Sequence, residues 1–411
     1  MQKKIASILF STRIMAVLFI LFAIAMAMGT LIETWYSIET ARILIYNAWW
    51  FEAIMLFLLI NFIGNIKRYN LHKREKWSSL LLHLSFILIL IGAGITRYIS
   101  YEGIMPIREG ETTNIYLTTE SYLTFFIDGE IDGQPRRRVL QEDALFGPEM
   151  ENDYILDTDF NGNPVKFEVI NFIHGAEEAL VPTEDGENYL KIVEAGEGQR
   201  HDHYLKEGEV SNIHNTLFTL NSPQDGAINI QVDDEGKYII DSPFEGTYMR
   251  MADQKQGELV KDSTQALMLR SLYNIGAMQF VIPEPVIRGE YDVVPTNPKT
   301  KQDLDAVTMR VTANGESETV TLLGGMGTVA DPAQINLGDL EIFLNYGSIE
   351  KELPFALKLN DFIAEKYPGT ADRETPGYAS FKSKVEIIEE GEEPEPYEIY
   401  MNHILDKEGY R

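Results

Sequence analysis

One histidine stands where an ionisable side chain is costly. From Trp77 to Thr96 the sequence carries no formal charge, and His83 is its only ionisable group. Twenty such residues make about 30 Å of helix, enough to cross a bilayer. An imidazole in hydrocarbon must hydrogen-bond to a neighbouring helix, line a cavity or ligate a metal, so His83 is a candidate functional group. A second grouping is His201-Asp202-His203, which puts two imidazoles on one side of a strand. That spacing is metal-like, but no third ligand is recognisable beside it. His72, in a basic loop, and His174, His214 and His403 read as surface histidines. Glu52, beside Trp49 and Trp50 at the start of another apolar run, reads as a capping carboxylate at the water interface. The chain has no cysteine, which excludes disulfides, thiolate metal sites and thiol nucleophiles. No phosphate-binding glycine loop, dinucleotide fingerprint or G-x-S-x-G elbow is present, and no carboxylate pair stands out as an acid/base couple.

The elements that position His83 are three apolar spans within residues 1–98. Ile14 to Ile32 gives 19 uncharged residues after the basic start MQKKIASILFSTR. It is longer than a usual signal-peptide core and two further spans follow, so it reads as a retained first transmembrane helix, about 14–32. The second span runs from about Ala48 to Ile66 and the third from Trp77 to Thr96. The 33–47 loop between the first two has room for an interfacial helix. The loop KRYNLHKREK at 67–76 holds five Lys/Arg against one Glu. The positive-inside rule therefore places that loop and the N-terminus in the cytoplasm, and residues 99–411 on the far side of the membrane. His83 then lies about 10 Å in from the cytoplasmic end, with about 20 Å remaining. Gly92 and Gly94 leave backbone open to another helix or a flat ligand, and helix packing alone would account for them. Arg97 and Tyr98 close the span as an interfacial anchor. All four tryptophans, Trp35, Trp49, Trp50 and Trp77, fall in this part, as aromatic belts require.

The remainder is chemically different. Ten Lys/Arg against four Asp/Glu give +6 through residue 98, and a chain total of −28 leaves −34 for residues 99–411. A surface this acidic repels a phosphate backbone, which argues against nucleic acid as a partner. Stretches such as NIYLTTESYLTFFIDG, VKFEVINFI, AVTMRVTANGESETVTLLGG and FKSKVEIIEE alternate apolar and polar residues between Gly, Asn, Asp and Pro clusters. They predict a large mainly-β domain, a sandwich or open barrel, on an α-helical transmembrane bundle. Residues 263–278, STQALMLRSLYNIGAM, read as a helical insertion capped by Ser263. The acidic segments at 183–198 and 388–397 read as solvated loops.

Several stretches in order resemble the ResB (CcsB) family, a component of the System II cytochrome c synthase. They are GTLIET after the first span, TARILIYNAWWFE leading into the second, LLLHLSFILILIGAGITRY with the trailing YEGIMPIREGE, then LPFALKLNDFIAEKYPGT, PGYASFKSKVEI and MNHILDKEGYR. The resemblance implies a multi-pass protein of the bacterial cytoplasmic membrane with its large domain on the periplasmic side. With a CcsA-type partner it would carry haem b across the membrane and present it for attachment to the CxxCH motif of an apocytochrome c. In this family a histidine of the third helix is an axial haem ligand, and His83 stands at that position. The second ligand, the tryptophan-rich (WWD) loop and the attachment chemistry belong to the partner; no WWD-like run occurs here, so no catalytic residue is expected in this chain. Basic residues at the inner mouth (Lys67, Arg68, Lys73, Arg74, Lys76) suit haem propionates, although positive-inside topology already accounts for them. Family members continue past the GYR with a further strand region and a final transmembrane helix, so the chain is expected to be a truncated product. Two other readings stay open: a membrane-anchored scaffold or binding module without haem, and a b-type electron-transfer subunit, which would need two facing histidines.

Overall fold

The computed structural model describes residues 8–196, 199–233, 235–276, 278–296, 303–369 and 377–411. Most of the basic start (residues 1–7), residues 197–198 of the acidic 183–198 segment and Thr370, which ends one family-like stretch, lie outside that set. The chain has three N-terminal apolar helices and a large mostly-β part whose antiparallel sheets do not close into a barrel. By compactness it divides into a unit of residues 1–177 with 295–411 and a unit of residues 178–294.

The three apolar runs form helices α1 (Thr12–Trp35), α2 (Trp49–Arg68) and α3 (Trp77–Tyr98), all long and apolar enough to cross a membrane. Each extends slightly past its uncharged run, because the flanking polar residues continue the backbone ladder at the interface. The Ser11 hydroxyl caps α1 by accepting from the Ile14 N–H. Between α1 and α2 the chain makes a short helical turn at Ile38–Ala41, capped by Ser37, that continues as a π-helical turn at Arg42–Tyr46. Leu18, Leu58 and Phe62 are buried between the helices, with Phe19, Phe86, Ile87 and Leu90 packed against them. Phe62 stacks on Phe86 at 5.0 Å, and Phe19 meets both rings edge-on. On α3 Leu80, His83, Phe86, Ile87, Leu90, Gly94 and Arg97 are half-buried and form a stripe at helical spacing, and Gly92 is half-buried beside it. The other side, with Leu81, Leu82, Leu88, Ile89 and Ile95, is exposed.

Two sheets in the first unit face each other as a sandwich. One contains Tyr122–Ile131, Gln134–Asp143, Ala333–Leu337 and Leu340–Gly347; the other pairs Leu304–Ala313 with Glu316–Gly324 and with residues 165–176. Inward positions alternate along each strand, so Leu123, Phe125, Ile127, Val307, Met309, Val311, Ile342 and Leu344 are fully buried. Phe125 stacks on Phe167 at 4.1 Å at the centre. A further antiparallel sheet holds Thr112–Thr118, Glu350–Lys366, Tyr378–Ile388 and Glu395–Tyr400.

The second unit packs Leu190, Ile192, Phe218, Ile228, Ile230, Tyr273 and Phe280 into a core of its own. Here two expectations fail. Residues 263–278 are not a helix: they form strands at Gln265–Ala266 and Ser271–Ile275, and Met278 starts the strand to Val281. The stretch is rich in helix formers, yet it buries Ser271, Tyr273 and Ile275 at a period of two, and Arg270 takes a left-handed turn at φ 55°. Burial on a sheet face outweighs the few tenths of a kcal/mol per residue by which propensity favours a helix. The described part of 183–198 is likewise strand rather than loop, because residues 189–196 pair with 199–206. Lys206 of the facing strand pairs with Glu187 of this segment, and the segment's own Lys191 pairs with Asp202 across the hairpin. The second acidic segment ends in the strand Glu395–Tyr400, where Lys382 meets Glu398.

Candidate functional site

The half-buried stripe of α3 sets the place of His83. Its ring lies edge-on to Phe62 of α2, with centroids 5.4 Å apart and planes at 89°. Its Nδ1 is 2.8 Å from the carbonyl oxygen of Ser79, one turn back on α3. A carbonyl only accepts, so the nitrogen there is the protonated one, and Nε2 of the neutral ring keeps the lone pair. One hydrogen bond and one aromatic contact thus fix both the tautomer and the orientation of a potential ligand nitrogen. Gly94 shares the stripe three turns along, and among the described residues nothing beyond its own helical turn lies within 4 Å of where its Cβ would be; the same holds for Gly92. Among the described residues, therefore, no other helix packs against either glycine. An imidazole with its Nε2 left as a potential donor atom, apolar neighbours and open backbone beyond it fits an apolar metal macrocycle.

At the other end of α3, about 21 Å along the helix from His83, Arg97 is tied into the bundle. It donates to Glu52 Oε1 of α2 at 2.5 Å and to the carbonyl oxygen of Tyr46. Glu52 therefore joins two helices; no side-chain cap is formed at the start of α2. Beyond this pair the helix ends and the strands of the same unit enclose a cavity of about 1580 Å³. Trp35, Arg42 and Arg97 line it from the helical side, His174, Asp305 and Tyr346 from the strands, and Phe146 from the loop after Asp143. Burial, reinforced by Asp305, pushes the Tyr346 phenol well above its ordinary range, so it stays a neutral donor. His174 is not a plain surface residue: its Nδ1 lies 3.1 Å from Asp305 Oδ1. The Thr40 hydroxyl donates to the Pro148 carbonyl and the Cβ position of Gly147 abuts Thr40, which anchors the α1–α2 connection to the strand region.

The sequence had passed over Asn61 and Asn65, an i, i+4 pair on α2 that is almost wholly buried. Asn61 donates to the carbonyls of Leu9 and Ser11, and Asn65 donates to Asn61 Oδ1 at 2.7 Å. Two amides in an apolar helix were legible, but their target, the backbone before α1, was not. His201 and His203 do stand on one strand, Gln199–Lys206, yet they are not brought together around a common point. His201 is exposed, whereas His203 approaches Glu194 and His214. Those two partners had no sequence signal beyond their residue types. His72 is exposed, and His403 stacks on Tyr400 at 4.6 Å, with its Nδ1 at the Glu398 carbonyl.

No family model matches the chain. Over 109 residues, 26% of its length, the chain is 41% identical to Protein NrfI of Wolinella succinogenes. The match covers 12% of that protein, so the chain spans only about an eighth of the relative it resembles.

Proposed function

We propose that this membrane protein takes part in cytochrome c maturation as a haem-handling component. In this reading it works with a CcsA-type partner, moves haem b across the membrane and presents it to the CxxCH cysteines of an apocytochrome c on the periplasmic side. The observation that carries the reading is the single imidazole within the three spans, held by Ser79 and Phe62 with Nε2 as its free ligand atom. The local likeness to Protein NrfI and the ordered family-like stretches support the same role.

The bound haem would supply an iron with axial positions for nitrogen ligands and a pair of anionic propionates. His83 then binds and orients, and the exposed side of α3 gives the partner an apolar surface beside it. Lys67, Arg68, Lys73, Arg74 and Lys76 gather positive charge at the end of the bundle nearer His83. With no WWD-like run in the chain, bond formation to the apocytochrome falls to the partner.

The test is maturation of a reporter cytochrome c in bacterial cells lacking their own pathway, supplied with this chain and its partner and read by haem-stained gel. His83→Ala is expected to lower holocytochrome at least tenfold at unchanged membrane abundance. Full maturation with the variant contradicts the haem-ligand role and leaves a scaffold.

A further inference from the structure

Independently of haem, we propose that the second unit carries a site for a divalent first-row transition metal of the zinc class, built from Glu194, His203 and His214. Glu194 and His203 come from adjacent strands of a hairpin whose register pairs Glu194 with His201 and Ile192 with His203. Opposed residues share a face, so Glu194 and His203 project from the same side, one diagonal step apart. His214 comes from the two-residue turn that joins Val210–Ile213 to Thr216–Leu220. Both turn residues are left-handed, His214 at φ 47° and Asn215 at φ 61°. This is the conformation of tight hairpins, usually given to Asn or Gly, and here it lifts an imidazole over the sheet.

The three ligand atoms lie within 4.8 Å of one another. His214 Nε2 is 2.6 Å and His203 Nε2 is 3.5 Å from the same oxygen, Oε1 of Glu194. Tetrahedral bonds of about 2.1 Å set ligand atoms about 3.4 Å apart, so the His203 spacing already suits a metal and the His214 contact must open to admit one. Without an ion the arrangement is poorly satisfied. Glu194 is 6% exposed, and His203 Nε2 is shut off from solvent with no hydrogen-bond partner among the described residues. His203 Nε2 thus faces a buried carboxylate oxygen at 3.5 Å without a hydrogen bond to it, a gap that an ion ligated by both atoms would fill. Neighbouring groups are otherwise engaged: Asp202 is held by Arg200 and Lys191, and His201 stays outside the trio.

The donor set fixes the class of ion. Two imidazoles with one carboxylate suit zinc, cobalt, nickel, copper or ferrous iron, whereas calcium and magnesium prefer oxygen throughout. Three protein ligands leave a coordination position open, and His214, with 66% of its side chain exposed, sets that position toward water. A bound water or an anionic group of a partner molecule would complete the shell.

The test uses the full chain in detergent, without a polyhistidine tag, stripped by chelator and titrated with Co²⁺. One saturable visible d–d band is expected, displaced by Zn²⁺. His203→Ala and His214→Ala each weaken binding at least tenfold, and His201→Ala leaves it unchanged. Zn²⁺ raises the Tm of the unsubstituted chain but not that of His214→Ala, each measured against its own metal-free Tm. The proposal fails if the unsubstituted chain binds no more tightly than a His203→Ala/His214→Ala double variant. It also fails if the loss tracks His201 instead; a proton shared between His203 and Glu194 would then account for the cluster.

Discussion

Tyr273 illustrates how much a single polar atom does in the β region. The side chain is fully buried, and its hydroxyl donates to the Met268 carbonyl at 3.0 Å while accepting the Met268 N–H at 2.6 Å. Tyr273→Phe leaves both backbone groups without that partner and is expected to cost about 1–2 kcal/mol in urea unfolding. Burial pushes the phenol up to about 12, above its unfolded value near 10. The neutral phenol's stabilisation is therefore complete below pH of about 10 and disappears as pH rises through about 12, and Tyr273→Phe should flatten that alkaline decline. The same logic makes His83 legible from sequence and its geometry not. One histidine in an uncharged run is visible by inspection, but the contact with Phe62 depends on how two helices pack. The Glu52–Arg97 pair was hidden likewise, because its members are 45 residues apart.

Among the elements, the helices were the most readable, since length and apolarity alone decide whether a segment can span a bilayer. What fixes α1 to α2 was less so. Asn61 reaches back to the carbonyls of Leu9 and Ser11, and Arg68 to that of Phe10. Gly64 makes room for Phe10, whose ring occupies the place where a Cβ would stand. Asn61→Leu is expected to destabilise the helical bundle by about 1 kcal/mol. It should also speed proteolysis around residues 8–11 in detergent; unchanged cleavage would count against this anchoring. Strands were harder to place. The 263–278 segment was misread because Ala, Leu and Met favour helix locally, while alternate burial of Ser271, Tyr273 and Ile275 is a property of the assembled core. The acidic 183–196 stretch was misread because charge masked a real alternation, in which Leu190, Ile192 and Glu194 all face inward.

For the molecule as a whole, charge and topology are linked. Residues 99–411 hold most of the acidity, and specific pairs pin part of it in place. The Arg137 guanidinium holds Asp128 below the usual carboxylate range, against a smaller opposing effect of burial. Arg200 and Lys191 do the same for Asp202, and Asn221 and Asn188 for Glu207. Lowered carboxyls stabilise the fold above their unfolded values near 4, and that contribution is lost as pH falls through the folded ones. Relief of self-repulsion acts in the opposite direction between neutral pH and about 4. The Tm should accordingly hold or rise on mild acidification and drop below pH of about 4. A Tm still rising at pH 3 would mean that repulsion outweighs the pairs. The central proposal is that the three-helix part holds haem through His83, and one measurement tests it most directly: the absorption spectrum of the chain purified with the proposed CcsA-type partner, beside His83→Gly with and without added imidazole. The account predicts a Soret band that weakens or shifts in the variant and returns with imidazole. A spectrum indifferent to both changes would put the haem on the partner alone and contradict the account.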